Sequence, residues 1–156
     1  MMARPVIGRS AAVGRSATID RSASLIVCDD MLYGLTGKAF LQGIYTADIT
    51  IPGDALHMAQ LVFYFSVVTP KNKPFKNVKL KVALVGEEQP RQVEVPIAAI
   101  MPTLNPDRPK MILRAPFLIQ NMVIRPGKIE THVITESEEL DAGGIWVLGI
   151  PPVGSS

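Results

Sequence analysis

The chain has 156 residues, of which 47% are hydrophobic and 19% are charged, and its net charge at neutral pH is +2. This length suits one domain with a sizeable core, while the charged fraction lies below the roughly 25% of an average soluble domain. No stretch reaches the roughly 18 apolar residues of a membrane-spanning helix. We therefore expect a soluble protein that does not interact with membranes and has part of its apolar surface covered by a partner.

The cysteine and histidine content narrows the compartment and the chemistry. Cys28 is the single cysteine, so the chain forms no internal disulfide, and no Cys/His spacing is typical of zinc sites. The N-terminal residues lack the apolar core of a secretory signal. A reducing interior such as the bacterial cytoplasm, or an assembled virion-like particle, is the expected location.

The positive charge is concentrated at the N-terminal end. Residues 1–23 hold four arginines against Asp20, which gives +3 and leaves −1 for the rest of the chain. A nucleic-acid-binding domain carries a basic face, so this distribution disfavours nucleic acid as a partner.

Residues 7–24 contain a repeat of period six, IGRSAA-VGRSAT-IDRSAS. It resembles the hexapeptide pattern of left-handed β-helices, although repeat folds need three or more coils; the alternative is a disordered arm. We predict that residues 1–23 form an arm that contributes to assembly. Its predicted interaction residues are Ile7, Arg9, Val13, Arg15, Ile19 and Arg21.

Prolines and glycines separate short apolar runs, which is typical of an all-β chain. Val78, Leu80 and Val82 alternate with Lys79 and Lys81, as expected for a half-buried antiparallel strand. We predict an antiparallel two-sheet sandwich of seven or eight strands over residues 24–151, followed by a tail at 152–156. The predicted strands are 24–29, 38–51, 59–69, 77–86, 91–98, 110–125 (broken at Pro116), 128–136 and 144–150.

Two predicted strands are apolar on both faces, at residues 61–68 and 117–124. One interpretation is that these are central strands covered by loops. The other is that their outer face is buried against a second subunit. The sequence leaves both open.

Asp29 and Asp30 end the first predicted strand and are weak candidates for calcium ligands, because Ca²⁺ prefers oxygen ligands. Cys28 lies in an apolar run and is expected to be a buried small hydrophobe. His57 and His132 show no catalytic spacing, and no nucleophile elbow or glycine-rich phosphate loop is present. We predict no catalytic residues and no cofactor, and the sequence indicates no small-molecule substrate.

Two charged segments lie far apart in the sequence. Five lysines fall within residues 71–81, and four acidic residues fall within 136–141. If solvated, such opposite patches would permit head-to-tail association between copies.

The segment 28–52 carries a set of residues that together resemble a family pattern. They are Cys28, Asp29, Asp30, Gly37, Lys38, Leu41, Gly43, Ile44 and Tyr45. The pattern resembles that of an uncharacterised bacterial β-sandwich family of unknown function, with a similar strand layout through about residue 150; residues 1–23 lie outside the resemblance. The resemblance implies a sandwich and no activity.

We therefore expect a non-enzymatic structural or interaction module that acts in a homo-oligomer or larger protein assembly, such as a phage-particle or multi-subunit accessory protein. The alternative is a small-ligand or calcium-binding β-sandwich.

Overall fold

The structure is a computed structural model, and it describes residues 20–97 and 107–151. All of its regular elements with assigned bounds are strands, which confirms the all-β prediction. The nine strands are β1 (Ser22–Tyr33), β2 (Ala39–Ile44), β3 (Ile49–Pro52), β4 (Leu56–Pro70), β5 (Val78–Ala83), β6 (Arg91–Glu94), β7 (Lys110–Ile124), β8 (Gly127–Thr135) and β9 (Glu139–Ile150).

The strands form two sheets that share one hydrophobic core. The four-stranded sheet has the order β2-β1-β4-β7, and the five-stranded sheet has the order β3-β9-β8-β5-β6. Alternate residues of β4, among them Phe63 and Phe65, meet alternate residues of β5 and β8 in this core. This period of two follows from strand geometry, in which successive side chains point to opposite faces.

The strand count is higher than the predicted seven or eight because the predicted strand 38–51 is two strands. β2 ends at Ile44 and lies in the four-stranded sheet, whereas β3 begins at Ile49 in the five-stranded sheet. Residues 45–48 carry the chain from one sheet to the other. The sheets are also not wholly antiparallel, since β3 pairs with β9 in parallel.

β7 runs through Pro116 without the predicted break. Among the described strands β7 pairs with β4 alone, so it is an edge strand, where a residue without a backbone N–H is tolerated. Further along β7 the buried face changes: Ile119 and Met122 both point into the core, with Asn121 between them at a φ of 53°. The left-handed conformation of Asn121 thus coincides with the point where the core-facing side of the edge strand shifts by one residue, and the pairing with β4 continues on both sides of it.

The first strand begins at Ser22, two residues before the predicted start of the domain. Residues 1–19 and 152–156 lie outside the described residues, so the division into arm, domain and tail stays a prediction. Within the described ranges, no helix is long and apolar enough to cross a membrane.

Candidate interaction surface

The predicted interaction residues fall into two groups. Ile7, Arg9, Val13, Arg15 and Ile19 lie outside the described residues. Arg21 is described, and it does not face a partner: its side chain is buried within its own chain. Arg21 is buried because the position directly before β1 lies under two loops, and the predicted role of the arm residues in an interface stays a prediction.

Arg21 is held by a complete set of acceptors. Its Nε donates to the Thr69 hydroxyl at 2.9 Å, and its Nη2 donates to the carbonyls of Lys73 at 3.1 Å and Pro74 at 3.0 Å. Its Nη1 donates to the carboxylate of Glu136. The guanidinium carbon also lies 4.8 Å from the centre of the Phe75 ring, within cation–π range.

The lysine-rich and acidic segments meet in the same region. Lys73 pairs with Glu138 and Lys81 pairs with Glu139, each at 3.1 Å. We call this group, together with the Arg21–Glu136 pair, the charged clamp. Two of the five lysines are therefore paired with acidic residues of their own chain, which reduces the charge that the two segments offer to another copy.

Glu136 is the central acceptor of the charged clamp. Besides Arg21, its carboxylate accepts hydrogen bonds from the backbone N–H groups of Lys76 at 2.6 Å and Asn77 at 3.4 Å. Burial acts to raise the pKa of Glu136, but these hydrogen bonds outweigh it and lower the pKa to about 2. The clamp therefore keeps Glu136 ionised at neutral pH.

Residues of the family-like pattern form the β1–β2 hairpin. The Tyr45 hydroxyl donates to the Asp29 carboxylate at 2.7 Å, and burial, followed by this bond, raises the pKa of Tyr45 to about 12. Gly43 has a φ of 67°, and an added Cβ there would collide with the Asp29 carboxylate. The glycine is thus required both by its conformation and by the close approach of Asp29.

Asp29 and Asp30 do not form a shared metal site. As neighbours on a strand they point to opposite faces, and each is already hydrogen-bonded. Asp30 accepts from the Gln60 side chain at 3.0 Å and from the Met31 backbone at 2.8 Å. Across the described ranges, no group of three or more His, Cys, Asp or Glu side chains could hold a metal ion.

Cys28 is fully buried, as predicted, but on the opposite side of the sheet from the core. Its thiol donates to the carbonyl of Asp30 at 3.4 Å, and burial raises its pKa. A thiol that stays protonated at neutral pH is a poor nucleophile.

The outer face of the four-stranded sheet is apolar at its centre. The register aligns Ile44, Cys28, Val62 and Leu118 in one row across all four strands. The next row aligns Ile26, Tyr64 and Pro116. Because paired residues present their side chains on the same face, these two rows form one apolar face. Cys28 and Val62 at its centre are buried, and its exposed side chains lie around them.

Polar rows border this surface on both sides. Asp30, Gln60 and Gln120 lie on one side, and Ser24, Ser66 and Arg114 lie on the other. An apolar centre with a polar rim is the usual anatomy of a protein–protein interface.

Several of the central side chains are exposed. The exposed fractions are 40% for Ile26, 48% for Ile44, 48% for Leu118 and 52% for Trp146. Trp146 belongs to β9, but it lines one hollow together with Ile26 and Ile44 and so extends the apolar surface. We define the outer apolar surface as Ile26, Ile44, Tyr64, Leu118 and Trp146.

A second feature adjoins this surface, at the free end of the β1–β2 hairpin. The hairpin and the outer face of β4 and β7 border an open hollow of about 610 Å³, which we call the hairpin groove. Its main lining side chains are Tyr33, Lys38, Phe40, Tyr64, Ile112 and Arg114.

The sequence carried a partial signal for this site. The runs 61–68 and 117–124 break the apolar–polar alternation, and they supply Val62, Tyr64 and Leu118 to the outer face. Trp146 was missed because it alternates normally with Ile145 and Val147, and only the tertiary fold brings it beside Ile26.

No family model matches the chain, and a search of curated proteins finds no relative.

Proposed function

We propose that this protein is a non-enzymatic interaction module that associates with copies of itself through the outer apolar surface. The two sheets, which share one core, would form a sandwich that serves as a rigid scaffold for that surface. The observation that carries the proposal is the pair of apolar rows on the outer face, bordered by polar rows on both sides.

The energetics favour association of this surface. Full burial of a large apolar side chain stabilises by about 1.5–3 kcal/mol, so five partly exposed residues offer several kcal/mol in all. Burial on both copies doubles this gain, which then reaches the roughly 4–15 kcal/mol lost in translational and rotational freedom on association. Trp and Tyr are also enriched among residues that dominate interface energies, and this surface contains one of each.

The direct test is Leu118→Glu, which places a charge in the centre of the outer apolar surface. We expect a smaller mass by light scattering and an unchanged melting temperature for the separated chains, because residue 118 points away from the core. Leu35→Glu is the matched control, since Leu35 is a fully exposed leucine in the turn between β1 and β2, outside the outer apolar surface.

Trp146 supplies a second readout because it is the only tryptophan of the chain. Dilution of the wild-type protein should shift its emission to longer wavelength as the surface is exposed. An unchanged mass for Leu118→Glu, with Trp146 equally accessible to acrylamide at all concentrations, would contradict the proposal.

We further propose that the arm, residues 1–23, contributes to this assembly. The chain enters the sheet at Ser22, in the row with Val68 and Ile112 at the end of the outer face. Ser22, where the described strand begins, therefore lies at one end of the face that carries the outer apolar surface.

A chain that starts at Asp20 tests the role of the arm while keeping Arg21 in the charged clamp. We expect a smaller assembly with a nearly unchanged melting temperature. If the shortened chain keeps the full-length mass, the arm has no part in assembly.

A further inference from the structure

The hairpin groove combines aromatic side chains with positive charge. Three rings line it: Tyr33 and Phe40 from the hairpin, and Tyr64 from β4. Burial raises the pKa of Tyr33, and the nearby Tyr64 raises it further, which agrees with the two phenols lying close together across the groove. The rings and Ile112 provide apolar walls on both sides.

The cations come from two different elements. Lys38 follows the turn of the hairpin, and Arg114 lies on β7 opposite Ser66. Both are exposed, and neither forms an ion pair within the described part of the chain. No described Asp or Glu lines the groove, so the site carries positive charge without a compensating carboxylate.

The size of the groove favours a small molecule. Its volume of about 610 Å³ lies within the roughly 300–1,000 Å³ of typical small-molecule sites, which are mostly apolar with a few charged groups. An anionic group near Lys38 and Arg114 would gain charge-assisted hydrogen bonds, while a flat apolar body would contact the rings.

We propose that the hairpin groove binds a small organic anion, with a carboxylate or sulfonate beside Lys38 and Arg114 and an aromatic body between Tyr33, Phe40 and Tyr64. The groove shares Tyr64 with the outer apolar surface, but Leu118 and Trp146 do not line it, so the two proposals can be tested with different variants. It also gives the small-ligand alternative a specific location.

The probe is anilinonaphthalene sulfonate, an aromatic anion whose fluorescence rises when it is bound, compared with phenylnaphthylamine, its uncharged counterpart. The test variant is the double substitution Lys38→Gln and Arg114→Gln. The matched control is Lys79→Gln with Lys110→Gln, which removes two exposed positive charges outside the groove.

We expect the groove variant to bind the sulfonate at least about tenfold more weakly, because two charge-assisted contacts are lost. Binding of the uncharged dye should stay unchanged, and the control variant should behave like the wild type with both dyes. Tyr33→Ala should weaken both dyes, because it removes part of the apolar wall.

Three results would overturn the proposal: no saturable binding of the sulfonate to the wild type, equal loss in the groove and control variants, or unchanged binding in the groove variant. Circular dichroism of each variant checks the fold, and Arg114→Lys, which keeps the charge, should retain most of the affinity. Light scattering separates the two proposals, since groove variants should keep the wild-type mass while Leu118→Glu should keep sulfonate binding.

Discussion

The charged clamp and the outer apolar surface are opposites in composition and in accessibility. In the clamp, Arg21 and Glu136 are charged side chains that are satisfied inside the chain, one of them fully buried. On the outer surface, Ile44 and Leu118 are aliphatic side chains that are about half exposed. In this molecule the charges of the clamp are paired within the chain, whereas apolar side chains stay partly exposed on the surface that we propose as an interface.

The difference follows from what each group loses by being unpaired. A buried charge without a partner is strongly destabilising, so the charges brought together by the loops are paired locally. An exposed aliphatic side chain is tolerated in a single chain but gains free energy whenever another apolar surface covers it. The paired charges of the clamp therefore gain little from a partner, whereas the outer apolar surface would gain free energy from one.

The largest expected effect is in the clamp. Arg21→Ala should destabilise the protein by about 3–5 kcal/mol, the range for breaking a buried ion pair, because Glu136 and several carbonyls lose their donor. Urea unfolding measures this loss. Lys73→Ala removes an exposed pair of the same clamp and should cost at most about 1 kcal/mol.

Arg21→Lys tests whether the charge alone is sufficient for this stability. Lysine keeps the positive charge but lacks the planar guanidinium, whose N–H groups donate to Thr69, Lys73 and Pro74 at the same time. It should recover only part of the lost stability. Equal unfolding free energies for Arg21→Ala and Lys73→Ala would show that the buried Arg21–Glu136 pair stabilises the fold no more than an exposed ion pair does.

The pH dependence of stability is the next test. The pKa of Glu136 in the folded chain, about 2, lies below its ordinary value of 4.5, so its contribution is complete above about pH 5. That contribution is lost as the pH falls from about 5 towards 2, because the unfolded chain binds the proton more readily than the folded one. We expect a loss of about 2–3 kcal/mol over this interval from this group alone.

Glu136→Gln provides the control, since it cannot titrate. Its unfolding free energy should be lower at neutral pH and fall less steeply between pH 5 and 2 than that of the wild type. The same slope in both proteins would mean that other carboxylates control the acid transition.

Glycine substitutions in the β1–β2 hairpin, which borders the outer apolar surface, should reduce the free energy of unfolding by a smaller amount. Gly43→Ala combines a positive φ with a collision against Asp29, and we expect a loss of about 2–3 kcal/mol. Gly37→Ala, in the same hairpin, has a φ of 79° and open space around it, and should cost about 1 kcal/mol. Similar losses in thermal or urea melting would mean that Asp29 moves aside freely.

Sequence patterns predicted much of the fold and less of the site. Alternation placed Val78, Leu80 and Val82 in the core correctly, because burial of a strand face acts on residues two apart. It did not separate β2 from β3, since the switch of sheet at residues 45–48 depends on where β9 lies. The pairing of Arg21 with Glu136, which are 115 positions apart in the sequence, also depends on tertiary structure and has no local signal.

The smallest expected effect on stability is at Cys28, which is buried like Arg21 of the clamp but lies on the outer face of the four-stranded sheet. It lies in the apolar row between Ile44 and Val62, beneath the outer apolar surface, and its thiol is bound to the Asp30 carbonyl. Cys28→Ala should cost only about 1 kcal/mol of unfolding free energy, because a small buried group is removed and no charge loses its partner.

Native Cys28 should react slowly with a thiol reagent, since burial removes it from solvent and raises its pKa. If association covers this surface, the reaction should slow further as the protein concentration rises. Leu118→Glu should abolish that concentration dependence, while Leu35→Glu should not. Rapid labelling of the native wild type at all concentrations would show that the outer face is open to solvent and that its apolar residues do not form an interface.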